Sequence, residues 1–322
     1  MKSTLALLIA SMALLTQSAI AQDFPTRPVR IVVPYPPGGG VDGLARPLAE
    51  RLSERWGQPV IVENKAGAAT IIGTDQVARS KPDGLTLLLT SDSSITSNPH
   101  LYDQLPFDPI KDLAPVIQLI DLFQMVVAHP SVKANTMQEL VQLAKSQTAP
   151  MNYGSYGAGS QPNLLFEELK RQSGVELTHI PYKGIAPAIQ ATLANEVQLT
   201  LGGAATTAQY FSTHRMKPLA ISAPKRNPEF PDIPTLREAG FGDIGPRAWF
   251  GIFAPAQTPQ PIIDKINADV ASILGDPAFE AQQITGKGYQ RAGDNAAAFR
   301  KFVLEDHQHK GQVIKAAGIK PD

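Results

Sequence analysis

Along almost the whole chain, short runs rich in valine, isoleucine and leucine alternate with stretches in which apolar residues recur every three or four positions. The first kind reads as strands and the second as amphipathic helices. Near the start, residues 29–33, 60–63 and 85–90 are strand candidates. Between the first two, Val41, Leu44, Ala45, Leu48, Leu52 and Trp56 line one helical face. Pro47 falls within that face; lacking an N–H, it predicts a helix that starts late or kinks. Residues 115–127 form an apolar run too long for one ordinary strand and closed by Pro130. It reads as a strand that leaves one domain and enters another.

The second part repeats the pattern. Thr136-Met137-Gln138-Glu139 is a capping box ahead of a helix with Leu140, Leu143 and Ala144 inward. A strand at 151–153 runs into the glycine-rich loop Gly154-Ser155-Tyr156-Gly157-Ala158-Gly159-Ser160, and a helix with Leu164, Leu165 and Leu169 on one face follows, closed by Gly174. Further strands are predicted at 177–180, 197–201 and 219–222, a helix at 187–195, and a return crossing at 248–254. Two long helices complete the chain, one opening at Thr258-Pro259 and one ending near Gly318. Strands alternating with helices predict an α/β protein with mostly parallel sheets. Two crossings predict two lobes with a hinge and a cleft between them: the first over 22–124 and 251–322, the second over 125–250.

Residues 1–21 carry Lys2, an apolar stretch and Ala19-Ile20-Ala21, the layout of a secretory leader cleaved after Ala21. No Arg-Arg pair precedes the apolar core, which argues against export of a folded, cofactor-loaded protein. The chain has no cysteine, which excludes disulfides, zinc-thiolate sites, cysteine nucleophiles and a lipid anchor on cysteine. Its 29 lysines and arginines balance 29 acidic residues, and loss of Lys2 with the leader makes the formal charge −1. No basic field invites nucleic acid, and beyond the leader no apolar run is long enough for a membrane span. The expected product is a soluble periplasmic monomer.

Gly38, Gly40 and Gly43 spell G-x-G-x-x-G between a strand and a helix, with Glu63 twenty residues on, the spacing of a dinucleotide fingerprint. Pro34, Pro36 and Pro37 lengthen the turn and the leader argues for export, so an exported nucleotide-dependent oxidoreductase is the alternative. The other reading is an anion cradle: each glycine loop offers main-chain N–H groups at a helix N-terminus. Asp42 either meets a cationic group on the ligand or caps its own helix, and spacing favours capping. The run Thr90-Ser91-Asp92-Ser93-Ser94 offers more hydroxyls, and His179-Ile180-Pro181-Tyr182-Lys183-Gly184 suits a loop over a cleft. Gly-Ser-Tyr-Gly is not a nucleophile elbow. His307 and His309 point apart on a helix, so neither a metal nor a cofactor is expected.

The chain resembles the extracytoplasmic receptors of tripartite tricarboxylate transporters, the Bug receptor family, over nearly all of its mature length. The landmarks are Pro28-Val29-Arg30-Ile31-Val32-Val33-Pro34-Tyr35 with Pro-Pro-Gly-Gly-Gly, Asp42, Ala45-Arg46, Val62-Glu63-Asn64-Lys65-Ala66-Gly67-Ala68 and Lys81-Pro82-Asp83-Gly84. Tyr153-Gly154-Ser155, Gly157, Gly159-Ser160, the 179–184 segment, Pro231-Asp232-Ile233-Pro234-Thr235 and Glu238-Ala239-Gly240 follow in order. The resemblance implies a type II periplasmic binding protein, a Venus flytrap that closes on a small carboxylate and passes it to integral-membrane permease subunits without turnover. A sensory receptor docking on a membrane kinase is a second alternative. It implies that Gly39, Gly40, Val41 and Asp42 face Ser155, Ala158, Gly159 and Ser160 across the ligand. Tyr35, Thr70, Ser91, Ser93, Tyr182 and Ala204 would read the distal end. Ala69-Thr70-Ile71, Gln161-Pro162-Asn163 and Gly202-Gly203-Ala204-Ala205 depart from the family's usual pattern, and smaller side chains at the last leave room. The solute expected is therefore a mono- or dicarboxylate, aromatic or amino-bearing ones included.

Overall fold

The computed structural model describes residues 24–321 apart from 229, 243, 246 and 294, so the leader and its cleavage point lie outside the described residues. The strands are β1 (Val29–Val33), β2 (Val60–Asn64), β3 (Thr86–Ser91), β4 (Leu113–Leu122), β5 (Gln124–Ala128), β6 (Met151–Ser155), β7 (Leu177–Pro181), β8 (Leu199–Gly203), β9 (Lys217–Ile221), β10 (Ala248–Pro255) and β11 (Tyr289–Arg291). The principal helices are α1 (Gly40–Trp56), α2 (Ile71–Ala78), α3 (Met137–Ser146), α4 (Gln161–Ser173), α5 (Ile185–Leu193), α6 (Ala204–Phe211), α7 (Gln260–Leu274) and α8 (Ala296–Ala317).

Two sheets form, in the orders β11-β4-β10-β3-β1-β2 and β7-β6-β8-β5-β9. The long apolar run is two strands: β4 ends at Leu122 in the first sheet and β5 begins at Gln124 in the second. The sheets are mixed rather than mostly parallel. β1 runs parallel with β2 and β3, but β10 is antiparallel to both β3 and β4. In the second sheet β6 runs parallel with β7 and β8, while β5 is antiparallel to β8 and β9. β11 also runs antiparallel to β4. β5 and β10 are the strands that follow the crossings: a chain that has just changed lobes enters its new sheet from the shared edge, against the βαβ direction.

Each sheet is covered on both faces. In the first lobe Leu44, Leu48 and Leu52 of α1 and Ile266, Val270 and Ile273 of α7 cover one face; Phe299 and Val303 of α8 cover the other with Trp249 and Phe253. In the second lobe α3 and α4 oppose α5. Leu101, Val313 and Ile314 of the first lobe pack on Leu164 of α4, an apolar contact between lobes.

Pro47 neither delays nor splits α1, which runs unbroken from Gly40. The proline leaves the carbonyl of Gly43, four residues back, without its helical donor, and the Lys287 ammonium takes that carbonyl at 3.0 Å. Burial holds the Lys287 pKa below the usual lysine range.

Candidate functional site

Strand register puts the carboxyl ends of β1, β2, β3 and β4, at Val33, Asn64, Ser91 and Leu122, along one edge of the first sheet. The ends of β6, β7 and β8, with Gln124 paired to Gly203, make the matching edge of the second. Phe123 joins the two edges, so the loops at these strand ends line the cleft.

The first glycine loop is held from inside its own lobe. Gly38 has φ +86°, a conformation that suits glycine, and its N–H donates to Asp42 Oδ2 at 2.9 Å. Arg46 binds both oxygens of the same carboxylate, Nε to Oδ2 at 3.0 Å and Nη2 to Oδ1 at 2.9 Å, and Asn64 Nδ2 adds a bond at 2.9 Å. Burial pushes the Asp42 carboxyl up, but the donors from Arg46, Gly38 and Asn64 outweigh it and hold it below its ordinary range. With four donors on one carboxylate, Asp42 braces the loop, and its side chain is committed there. Asn64 also donates to the Tyr35 carbonyl at 3.1 Å. Gly40, the first helical residue, sits so close to its neighbours that a Cβ would stand 3.0 Å from the Tyr289 hydroxyl and 3.4 Å from Phe250.

The second loop is braced in the same manner. The Ser155 hydroxyl bonds His179 Nε2 at 2.6 Å and accepts from Gly157 N–H at 3.0 Å, and Ser160 Oγ donates to the Gly157 carbonyl at 2.5 Å. Asn163 Oδ1 accepts from Gly159 N–H at 3.0 Å while its amide donates to the Tyr153 hydroxyl. Gly159, at φ +69°, lies against the first lobe: a Cβ there would be 2.4 Å from Leu101 and 3.6 Å from Ser97. Ala158 is half-buried between the two loop glycines. Both helices reach the cleft without a side-chain cap, from Gly39 and Ser160. By contrast, Thr136 caps α3 and Asn295 caps α8.

Of the distal candidates, Tyr35 and Ser91 come together, hydroxyl to hydroxyl at 2.7 Å, with Ser94 at 3.2 Å; Ser93 opens the helical turn that follows, its N–H on Ser91 Oγ at 3.3 Å. Thr70 ends three successive left-handed residues, Ala68, Ala69 and Thr70, at φ 45°, 49° and 78°. Asn98 clamps this turn, donating to the Ala69 carbonyl at 2.8 Å and facing Thr70 Oγ1 at 3.3 Å. Ala204 begins α6 just past Gly203. Tyr182 makes no hydrogen bond to the Tyr35 cluster: its ring lies 3.4 Å from where a Gly154 Cβ would stand, and burial with the Glu196 charge raises its pKa. Tyr156 was not among the expected residues, yet it reaches the first lobe. Its phenol lies in the fields of Asp92 and Tyr35, and burial first, then these, push its pKa well above the ordinary tyrosine value.

Beneath Ser91 and Ser93 lies a buried charge network. Lys310 Nζ of α8 contacts Asp92 at 2.6 Å and Asp306 at 2.9 Å, while Thr96 Oγ1 and Trp249 Nε1 donate to Asp306 at 2.7 and 2.9 Å. Burial pushes Asp92 above the usual carboxylate range against the pull of Lys310, and the two carboxylates hold Lys310 charged despite its burial. The bracing roles of Asn64, Asn98, Asn163 and His179 left little trace in the sequence: Asn64 ends β2, Asn163 lies in the first turn of α4 and His179 in the middle of β7, and all four are polar residues of types common on any surface.

A model of the tripartite tricarboxylate transporter family receptor matches residues 44–319. A UPF0065 protein of Bordetella pertussis is 34% identical over 99% of this chain and 97% of its own length. Among solved structures, the periplasmic binding protein BugD superposes with a TM-score of 0.78 at 32% identity, covering 93% of this chain and 100% of that one. A Rhodopseudomonas palustris protein solved with adipate gives a TM-score of 0.81 at 30% identity, covering 93% and 100%.

Proposed function

Because this chain belongs to the tripartite tricarboxylate transporter receptor family and is a two-lobed solute-binding receptor, we propose that it captures a small mono- or dicarboxylate and delivers it to a membrane permease. The observation that carries this reading is the pair of uncapped helix N-termini, α1 after Gly39 and α4 after Ser160, reaching the cleft from opposite lobes. The first N–H groups of a helix have no intrahelical acceptor, and the positive end of its dipole favours an anion. The side chains around them are already engaged: Asp42 with Arg46 and Asn64, Ser155 with His179, Ser160 with the Gly157 carbonyl. Main-chain amides of residues 39–42 are therefore the donors that the first lobe offers to a solute carboxylate, and the positive end of the α4 dipole, behind Ser155, Ala158, Gly159 and Ser160, is what the second lobe brings to it.

In this reading the lobes close about Phe123 and the returning segment, and the second loop with the N-terminus of α4 meets a carboxylate already seated on the amides of the first. Tyr35, Ser91 and Ser93 contact the far end, and Thr70 and Ala204 border it. The commitment of Asp42 removes the reason for expecting an amino group on the solute. The adipate seen in the R. palustris relative supports a carboxylate. No turnover is assigned, since the one hydroxyl–imidazole pair in the loops, Ser155 with His179, is used to brace the Gly157 turn. The periplasm, after cleavage behind Ala21, is the compartment this role requires; no helix among the described residues is long and apolar enough to cross a membrane. The test is native mass spectrometry of protein purified without denaturation. A copurified small acid, lost on unfolding, is the expected result; a bound nucleotide or a neutral solute contradicts the proposal.

A further inference from the structure

The second glycine loop uses its own amides to hold its shape. Gly157 N–H goes to Ser155 Oγ and Gly159 N–H to Asn163 Oδ1, each at 3.0 Å, and Ser160 N–H goes to the Gly157 carbonyl at 3.2 Å. At the start of α4, Pro162 has no N–H to offer, and the N–H of Gln161 donates to the Tyr156 hydroxyl. The phenol therefore stands at the positive end of α4, on the spot that the helix dipole offers to an anion.

The same loop carries the phenol across the cleft. Gly159, three residues on, presses on the first lobe so closely that a Cβ there would stand 2.4 Å from Leu101 and 3.6 Å from Ser97, and Tyr156 lies within the fields of Tyr35 and Asp92. Tyr35 stands between β1 and the first glycine loop, its own hydroxyl on Ser91 at 2.7 Å, and Asp92 is held by Lys310 at 2.6 Å. Neither takes a hydrogen bond from Tyr156, and among the described residues the phenol proton has no acceptor. A hydroxyl whose oxygen accepts from a helix N-terminus is polarised toward donation, since each hydrogen bond in a chain strengthens the next. We propose that the Tyr156 hydroxyl is the group with which the second lobe binds the solute: its oxygen stays on Gln161 N–H and its proton goes to the carboxylate seated on the amides of residues 39–42. Burial and the Asp92 charge keep the phenol protonated wherever a carboxylate is ionised. The inference rests on the carboxylate reading above and names the donor that the second lobe supplies.

Titration calorimetry with malate, adipate, hexanoate and benzoate tests it on wild type, on Tyr156→Phe and on protein carrying a ring-fluorinated tyrosine in place of Tyr156. Tyr156→Phe should weaken every acid that wild type binds by about tenfold, the size of one hydrogen bond to a charged group, and by a similar factor whatever the acid carries at its far end. Fluorination makes the phenol a stronger donor and a weaker acceptor with little change of shape, and should tighten the same acids; if Tyr156→Phe fails to fold, the fluorinated protein carries the test alone. A hydroxyl that only capped Gln161 would respond the other way. Weaker or unchanged binding by the fluorinated protein, or Tyr156→Phe binding like wild type, therefore overturns the inference while leaving the carboxylate cradle standing. Binding of none of the four acids by wild type counts against both readings.

Discussion

Asp42 accepts four hydrogen bonds from three residues of its own lobe, and the shape of the first glycine loop depends on that single carboxylate. Replacing it with alanine leaves the half-exposed Arg46 guanidinium to water but strands the Asn64 amide and the Gly38 main-chain N–H, at a cost of about 1–3 kcal/mol. The cost should depend on pH. Because the folded carboxyl lies below the ordinary 3.8, its contribution is fully present above that value and fades as pH falls through the lower, folded one. Urea unfolding of wild type and Asp42→Ala should differ at pH 7, and the difference should shrink progressively as pH is lowered below 3.8. A constant difference would mean that the cost is packing alone. The helix cap that spacing favoured is not formed, since α1 has no side-chain cap and the Asp42 carboxylate takes the N–H of Gly38 ahead of the helix; only the place of Asp42 in the loop-to-helix junction was legible. Its bond to Asn64, 22 residues away, was not, because a lone asparagine at a strand end has no pattern to betray its partner.

The elements themselves were largely readable, since apolar periodicity records which face is covered: every apolar position assigned to the face of α1 except Trp56 is buried. Strand direction was not readable, because periodicity is the same whichever way a strand runs. Nor was the continuity of α1 through Pro47. The proline is visible, but the lysine that satisfies the freed carbonyl comes from the far end of the chain. Lys287→Met should cost about 1 kcal/mol in the wild-type background. In Pro47→Ala, which restores the backbone donor to Gly43, the same substitution should cost less. A double-mutant cycle in urea gives the coupling; strict additivity would break the link between the two residues.

Across the molecule, α8 ties the site to the rest of the fold. Lys310 is 1% exposed and lies between Asp92 and Asp306, so Lys310→Met leaves two buried carboxylates facing each other and should cost about 3–5 kcal/mol, read as a lowered thermal midpoint at pH 7. The same change frees the Ser91 to Ser97 turn and should weaken solute binding as well. Little of this network could be read from the chain, because a buried lysine and a surface lysine look alike in sequence. The two-lobed plan and the two glycine loops were legible; the braces that aim the loops were not, since they join residues distant in sequence and ordinary in kind. The central claim is that the N-terminal ends of α1 and α4, with their glycine loops, converge from opposite lobes on one carboxylate. Its most direct test is a titration of ¹⁵N-labelled protein with the tightest-binding acid of a carboxylate panel, followed by amide resonances. The account predicts that the amides of Gly39 to Asp42 and of Ala158 to Ser160 shift together and saturate at one equivalent, whereas shifts confined to one lobe, or absent from both loops, would contradict it.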